Sequence, residues 1–558
     1  MTKNAILGVS HLDVSKKGLL ETSSLKNYEF ISLNYSNYVS DDTFHKYINH
    51  QIIKSPKLQD LPKKLSCSWY RDKNGIDNYM YDFSFGIALQ RRLSIILADS
   101  IKYFLAFKEL DKEYDNIFVP ENNHEMLNII QESFQNFSNQ DYYSDEFSEI
   151  TSILNGRGLV SDYPINKLSP LMFRLQNFFM INRKNKVLVF PDWTYSHHHH
   201  NNYLHQNSKN INTGFYFRKH DYDHKPLRDS LPSNLKFNYD YLMEIDNNDL
   251  SIEDKDKLQV IFSKLISLEY EKTIDSLCRT YLVFEDLLTS YMPSQIICPT
   301  LNHPWHTIIA EIARKYNIKT NVVLDGYATF IDENYYSKDA HNDKYLFDNY
   351  VFTGSLSKEL TCKYFPDIEG DLIKPPLINL ITSNNDKDDI DHDALIMMPY
   401  PWSGNPNSCY DQRYKYILEV IKLLTELSYS NISIKIKKSK NISVSNEEKK
   451  LYEIIEKNNY KNIKIISGDL NEIIHKTKLI IGQAGTSLIE SNIAKVPFFI
   501  YEPVYIGLSN ENIDRSVFAN TYFARELSVL SKNIEENKTS VLDVNKLNDG
   551  PSLTEIIT

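Results

Sequence analysis

Between Asp393 and Tyr501 the chain alternates short apolar runs with longer amphipathic ones, and this alternation constrains the fold more than any other feature. DALIMMPYP (393–401), ISIKIKK (432–438), IKIIS (463–467), LIIG (479–482) and PFFIY (497–501) are short, β-rich or apolar, and read as largely buried strands. YKYILEVIKLLTELSY (414–429) and EEKKLYEIIEKN (447–458), lying between them, carry apolar residues at helical spacing. Strands separated by helices predict a parallel sheet covered on both faces, in the doubly wound manner.

The same pattern recurs upstream. PSQIICPT (293–300), HTIIAEIARKYNI (306–318) and KTNVVLDG (319–326) read as a βαβ unit, continued by DNYVFTG (348–354), a helix to about Tyr364, and DLIKPPL (371–377). NIFVP (116–120) and KVLVF (186–190) look like strands of the same sheet, and 121–180 and 195–250 like insertions or helical decoration. The polar, acidic stretch TSNNDKDDIDHD (382–393) separates the two regions and reads as a linker. The expected class is therefore α/β, with two doubly wound, Rossmann-like domains facing each other across a cleft. Residues 1–381 would form the N-terminal domain with helical insertions, and 394–558 the C-terminal domain, its last residues packing back on the first.

A length of 558 residues is too great for one core, which agrees with this division. The net charge of −11 supplies no positive field for a phosphate backbone, so nucleic acid is not an expected partner. Five cysteines, far apart and without a C-x-x-C pair, read as free thiols in a reducing compartment, with the cytoplasm as the default. The N-terminus has no signal-peptide pattern, and no stretch approaches the roughly 18 apolar residues of a membrane span. The four histidines of HHHHNN (197–202) could hold a metal, but without acidic or cysteine ligands at fixed spacing the run reads instead as a solvated surface loop.

Ligands of doubly wound folds bind at the carboxyl ends of the strands, so the strand-to-helix turns are where chemistry is sought. LIIGQAGTSLIESNIAKVPFFIYEP (479–503) is the most informative. Gly482, Ala484 and Gly485 leave its turn nearly bare, and Thr486 and Ser487 stand where a helix begins, with unpaired amides suited to an anion. Glu490 has two readings: a capping-box residue reaching back to the helix start, or a ligand of a ribose hydroxyl. PYPWSGNPNS (399–408) places Ser403, Gly404 and Asn405 in a second such turn, which faces the first if both strands are parallel and central. Lys437, near the end of its strand, could neutralise a phosphate or simply be solvated.

In the N-terminal region, TLNHPWH (300–306) puts His303 before Pro304 at a helix start, either as a functional side chain or as a tolerated cap. LDGYATF (324–330) puts Asp325 before Gly326 at a strand end, suited to a general base or a carboxylate nucleophile, or to an ordinary turn. GVSHLDVSKKG (8–18) follows the first strand, and its His11 and Asp13 could reach an acceptor hydroxyl.

Taken in order, these pieces resemble the GT-B glycosyltransferases of bacterial surface-polysaccharide assembly, most clearly from about 281 to 503. Within that superfamily the chain looks most like the enzymes that use CMP-activated 2-ulosonic acids, the Kdo transferases and capsule sialyltransferases. Those families place an acidic residue before glycine, a His-Pro pair and a small hydroxyl motif around the CMP and the reacting sugar; Asp325-Gly326, His303-Pro304 and Thr486-Ser487 are the matching positions. In the sialyltransferases the His-Pro pair follows the acidic motif, whereas here it precedes it, and Lys437-Lys438-Ser439 stands where that pair is expected.

The resemblance implies a glycosyltransferase that moves a sugar, as a CMP-linked 2-ulosonic acid, to a capsule, lipopolysaccharide or similar glycan. Asp325, His303 and His11 would be catalytic, and Ser403, Gly404, Asn405, Lys437, Gly485, Thr486, Ser487 and Glu490 would bind the nucleotide, with neither metal nor cofactor. The implied partners are a nucleotide-sugar donor and a glycan or lipid-linked acceptor, met in the cytoplasm or at the cytoplasmic face of the membrane by peripheral association. The alternatives are a GT-B transferase using a UDP- or GDP-sugar or CDP-glycerol, and a two-lobed glycan-binding protein without turnover.

Overall fold

A computed structural model describes residues 2–10, 27–42, 44–48, 53–72, 77, 83–157, 166–167, 187–189, 211–212, 216–217, 223–231, 235–299, 304–324, 345–374, 390–399, 406–407, 412–436, 443–467, 469–508, 510–547, 549–551 and 555. Three larger sheets organise these residues, and every strand pairing within them is parallel.

The first sheet and its covering helices run from the N-terminus to Arg157. In chain order they are β1 (Asn4–Leu7), β2 (Tyr28–Ser32), α1 (Tyr35–Ser40), β3 (Lys46–Tyr47), α2 (Pro56–Ser68), α3 (Phe85–Glu113), β4 (Asn116–Pro120), α4 (Glu125–Gln131), β5 (Phe137–Gln140) and α5 (Asp145–Arg157), with strand order β3-β2-β1-β4-β5. The second sheet comprises β6 (Val187–Val189), β7 (Ile211–Asn212), β8 (Gln295–Pro299), β9 (Lys319–Val323), β10 (Asn349–Thr353) and β11 (Gly370–Ile373) in the order β11-β10-β9-β8-β6-β7. Its helices are α6 (Ile252–Tyr291), α7 (Pro304–Lys315) and α8 (Ser355–Tyr364). Ser84 caps α3 by accepting the Ile87 amide, and Ser251 with Asp254 forms a capping box that starts the 40-residue α6. Leu93, Leu97, Phe104, Phe262, Phe284 and Ile308 of these helices belong to one apolar core shared by the first two sheets.

The third sheet matches the alternation in the sequence closely: β12 (Ala394–Met397), α9 (Gln412–Glu426), β13 (Ile432–Lys435), α10 (Ser443–Lys457), β14 (Ile463–Ile466), α11 (Leu470–Ile473), β15 (Ile480–Gly482), α12 (Thr486–Ile493), β16 (Phe498–Tyr501), β17 (Phe523–Ala524), α13 (Leu527–Glu535) and α14 (Val544–Leu547). Its order, β14-β13-β12-β15-β16-β17, is that of a dinucleotide-binding doubly wound sheet. The α/β class with doubly wound, Rossmann-like sheets is thus the observed one.

Two expectations need correction. NIFVP and KVLVF lie in different sheets, as β4 and β6. Residues 125–157 are no decoration, because β5 pairs with β4 and so completes the first sheet. The histidine run at 197–202 and most of the linker lie outside the described residues. At the linker's end, Asp393 accepts from Asn431 N–H at 3.0 Å, Ser430 Oγ at 2.8 Å and Lys478 Nζ at 2.6 Å, and the lysine holds its carboxyl well below the usual range. No helix among the described residues is long and apolar enough to cross a membrane.

The first-sheet unit rests on the third. Tyr35 and Val39 of α1 pack on the apolar core between α9, α10 and β13, and Lys450 and Lys457 of α10 pair with Glu149 at 2.8 Å and Asp42 at 2.6 Å. Glu146 of α5, buried beneath this contact, accepts from Ser32 Oγ and the Leu33 amide at 2.6 Å and from Asn37 at 3.1 Å, fixing the start of α1. Burial pushes its carboxyl up to about 7 from the 4.5 of an exposed glutamate, against these donors and the more distant Lys450. A raised carboxyl makes the folded state the stronger proton binder, so its stabilisation is complete below about pH 4.5 and is lost as the pH rises through about 7. Glu146→Gln should therefore be more destabilising at pH 5.5 than at pH 8, by on the order of 2 kcal/mol. His124 and His392, with pKa values lowered by burial, titrate in the opposite sense but equally in both proteins. Denaturant melts at the two pH values test this, and an equal or reversed gap would contradict it.

Candidate functional site

In the third sheet the chain builds β12, β13 and β14 to one side and β15, β16 and β17 to the other, so the topological switch point lies between β12 and β15. These two are parallel neighbours, with Leu395 opposite Ile480 and Ile396 opposite Ile481. The two turns singled out in the sequence, after Met397 and after Gly482, therefore leave the carboxyl ends of adjacent central strands. This is the crevice at which doubly wound sheets hold ligands.

Each small residue of the second turn has its own reason. A side chain at Gly482 would press on Met397 Cβ at 3.1 Å and Leu488 Cδ2 at 3.3 Å, so this glycine lets α12 close on β12. Among the described residues an added Cβ at Gly485 would meet only the Gln483 carbonyl oxygen, at 3.7 Å, so none of them fills the space above the helix start. Gly485 is the N-cap of the eight-residue α12, and no side chain caps it. The first-turn amides, those of Thr486 and Ser487 among them, have no carbonyl one turn earlier to bond, and both residues are half-buried.

The position of the cap decides between the two readings of Glu490. A capping box needs a side-chain acceptor at the N-cap and the acid three residues later, but these positions are Gly485 and Leu488. Glu490 stands one turn further on, half-buried, and no described residue hydrogen-bonds to its carboxyl. Burial and then the nearby Asp469 push it up to about 7, while Lys435 pulls the other way. A carboxyl poised there can donate to or accept from a hydroxyl. Lys435 itself is buried at the end of β13 and donates to the Ile436 carbonyl at 2.7 Å.

Sequence reasoning passed over Glu502. It directly follows β16, is wholly buried, and accepts the Ala484 amide at 2.5 Å and the Leu508 amide at 2.8 Å. Burial raises its carboxyl to about 7, opposed by those two amides and by Arg525. Gln483 Nε2 donates to the Ile506 carbonyl at 3.1 Å, so the turn is tied twice to the loop after β16. The signal available in the sequence was an acid directly after an apolar strand, FFIYEP, which reads most simply as the strand's polar terminus.

The first-sheet unit also contacts the chain between β12 and α9. Asn407, buried, donates to the Ile53 carbonyl at 2.9 Å and accepts the Ile53 amide at 2.9 Å, reproducing a pair of strand-like bonds. Gln412, at the start of α9, donates to the Tyr47 hydroxyl, and Arg413 beside it is buried. Asn407 is thus tied to Ile53 in the loop that follows β3, and Gln412 to Tyr47 at the end of β3 itself.

Of the residues singled out, Gly485, Thr486, Ser487 and Glu490 share α12 and its cap, whereas His11, His303, Asp325, Ser403, Gly404, Asn405 and Lys437 lie outside the described residues. The strands before His303 and Asp325, β8 and β9, are parallel neighbours with Pro299 opposite Val323. The helix start at Gly354 is taken up by the chain's own C-terminal segment, whose Asp549 accepts the Ser355 amide at 2.7 Å. Among the described residues no group of three or more His, Cys, Asp or Glu side chains could hold a metal.

No protein-family model matches the chain, and no curated protein matches it in sequence. Several solved structures are similar in part. UDP-GlcNAc 2-epimerase from Methanocaldococcus jannaschii, in complex with UDP-GlcNAc and UDP, is 13% identical, the match covering 66% of this chain and 96% of that one with a TM-score of 0.39. MurG from Acinetobacter baumannii is 9% identical over 67% of this chain and 98% of its own, with a TM-score of 0.36. A glycosyltransferase from Rickettsia africae is 12% identical over 63% of this chain and 88% of its own, with a TM-score of 0.35.

Proposed function

We propose that the chain is a glycosyltransferase of the GT-B type, which takes its sugar from a nucleotide donor bound at the switch point of the third sheet and passes it to a surface glycan. The observation that carries this reading is the bare turn at Gly485: space that no described residue fills, an uncapped helix start, and Glu490 one turn away with a carboxyl to which no described residue hydrogen-bonds. Phosphate oxygens would lie on the first amides of α12, where the helix dipole stabilises the charge that develops as the sugar departs, so the reaction needs no metal. Glu490 would hold ribose hydroxyls, with Ser403, Gly404, Asn405 and Lys437 around the rest of the nucleotide. Asp325 would act on the acceptor hydroxyl as base, or on the sugar as nucleophile, and His303 and His11 would orient the reactants.

The finer reading is a CMP-linked 2-ulosonic acid as donor and a capsule or lipopolysaccharide precursor as acceptor, met at the cytoplasmic face of the membrane. Melting the protein with CMP, UDP, GDP and CDP in turn tests it. A ligand at a hundred times its Kd stabilises the native state by about 2.7 kcal/mol, a shift of a few degrees. CMP alone should give this shift; UDP or GDP alone would replace the donor class, CDP alone would point to CDP-glycerol, and no shift with any would leave the glycan-binding protein without turnover. Asp325→Ala should keep the nucleotide shift and lose transfer by about 10²- to 10⁴-fold. Near-normal turnover in that variant would remove the assignment.

A further inference from the structure

We propose that Glu502 is the positioning residue of the donor site, holding the Gly482–Gly485 turn in the form that offers the amides of α12 to a phosphate. The inference rests on the nucleotide-binding reading above and extends it to a residue that touches no ligand. A side chain that only had to close this loop could be apolar or an amide, since a buried carboxylate carries a desolvation penalty that good bonds must offset. A carboxylate has one property the others lack here: both oxygens accept, so it can take two backbone amides from two separate segments with no donor left over. Glu502 does this, with Oε1 on Ala484 and Oε2 on Leu508.

The consequence is directional. With the Ala484 amide drawn inward to Oε1, the next amides along the chain, at the start of α12, remain for a ligand. The surroundings fit this task. An added Cβ on Gly507 would stand 2.5 Å from Glu502 Oε2 and 2.7 Å from its backbone carbon, so a glycine there allows the loop to close on the carboxylate. Arg525 donates to the Glu502 carbonyl at 2.7 Å and to that of Leu508, placing a positive charge beside the acid. That charge keeps Glu502 from repelling an anion bound at the turn.

The test compares wild type, Glu502→Gln and, as a control for lost stability, Leu530→Ala, which hollows the core of the same lobe. In Glu502→Gln the terminal NH2 faces one of the two amides, so one bond is lost and the turn is freed. Two readouts are taken at a temperature where all three proteins are folded: Kd for UDP and CMP by calorimetry, and amide hydrogen exchange of the 480–488 segment. Glu502→Gln should weaken the nucleotide that wild type binds at least tenfold and speed exchange across the turn at least tenfold. Leu530→Ala, with a similar loss in Tm, should leave Kd within twofold. A Glu502→Gln protein that binds within twofold of wild type overturns the proposal, as does Leu530→Ala weakening binding equally. Should wild type bind neither nucleotide, the donor-site reading fails, and exchange alone decides whether Glu502 fixes the turn. If Glu502→Gln does not fold, Gly507→Ala, whose methyl displaces the same carboxylate, takes its place in both measurements.

Discussion

Gly485→Leu should fold as the parent does and lose nucleotide binding by at least a hundredfold, about 2.7 kcal/mol. The two halves of this expectation come from the same geometry. Gly485 has φ −162° and ψ 176°, extended backbone that any residue adopts, so a leucine meets no conformational penalty. Among the described residues its Cβ would have only the Gln483 carbonyl oxygen within 4 Å, at ordinary contact distance, so none of them has to move. The side chain would instead fill the space above the first amides of α12, which is where the proposed phosphate lies. A thermal melt within about one degree of the parent, with nucleotide affinity gone, is the expected pair of results. Undiminished affinity would mean that the phosphates bind elsewhere, and a collapsed melt would mean that the space is not free.

Gly354→Ala should have the opposite character, with a large loss of stability and a freed C-terminus. Gly354 sits at φ +79°, the left-handed region that side chains disfavour by roughly 1–2 kcal/mol. Its Cβ would also stand 2.5 Å from the Lys546 carbonyl oxygen and 2.9 Å from the Leu547 backbone, neither of which can swing aside as a side chain would. Overpacking of this kind adds about 1–3 kcal/mol, for a total near 2–5 kcal/mol. What is displaced is the segment that returns across the linker to the second sheet, held by Asp549 on the Ser355 amide, by Lys546 on Glu359 at 2.7 Å and by the Lys374 amide on the Pro551 carbonyl at 2.9 Å. Limited trypsin digestion should then cut near Lys538 and Lys546 well before the rest of the chain, and Asp549→Ala should give a milder form of the same result. Unchanged digestion in Gly354→Ala would show that the tail is held by other contacts.

How much of this was legible in the sequence differs by element. Strands β12 to β16 and the helices α9, α10 and α12 fall within a few residues of their expected places, because a strand covered on both faces must be almost continuously apolar and a covering helix must show its stripe; the four-residue α11 is too short to show one. β5, Phe137–Gln140, left no such mark: it lies at a sheet edge, half of it is exposed, and three of its four residues are polar. The separation of β4 from β6 was equally hidden, since both are short apolar runs and nothing local records which strand each will pair with.

At the site, the bare turn and the helix start could be read directly, because glycine, threonine and serine in that order restrict what the backbone can do. The role of Glu490 could not, because a shift of the N-cap by one or two residues converts a capping acid into an unengaged one, and that shift is set by how α12 packs on β12. Glu502 was hidden more deeply. A charge at a strand end is ordinary, and only the return of the Leu508 loop and the turn at Ala484 to the same point makes it a wholly buried acceptor of two amides.

The sequence by itself determined the class of fold, the parallel sense of the third sheet and the small-residue turn that opens a helix at Gly485, since these follow from periodicity and from backbone freedom over a few residues. Tertiary structure alone decided that the described strands gather into three larger sheets, that Ile53 and Tyr47 hold Asn407 and Gln412, that the tail occupies the helix start at Gly354, and that Glu502 accepts amides from both the Ala484 turn and the Leu508 loop. Each of these joins residues far apart in the chain, and a hydrogen bond between distant segments depends on where both are carried by the packing of everything between them.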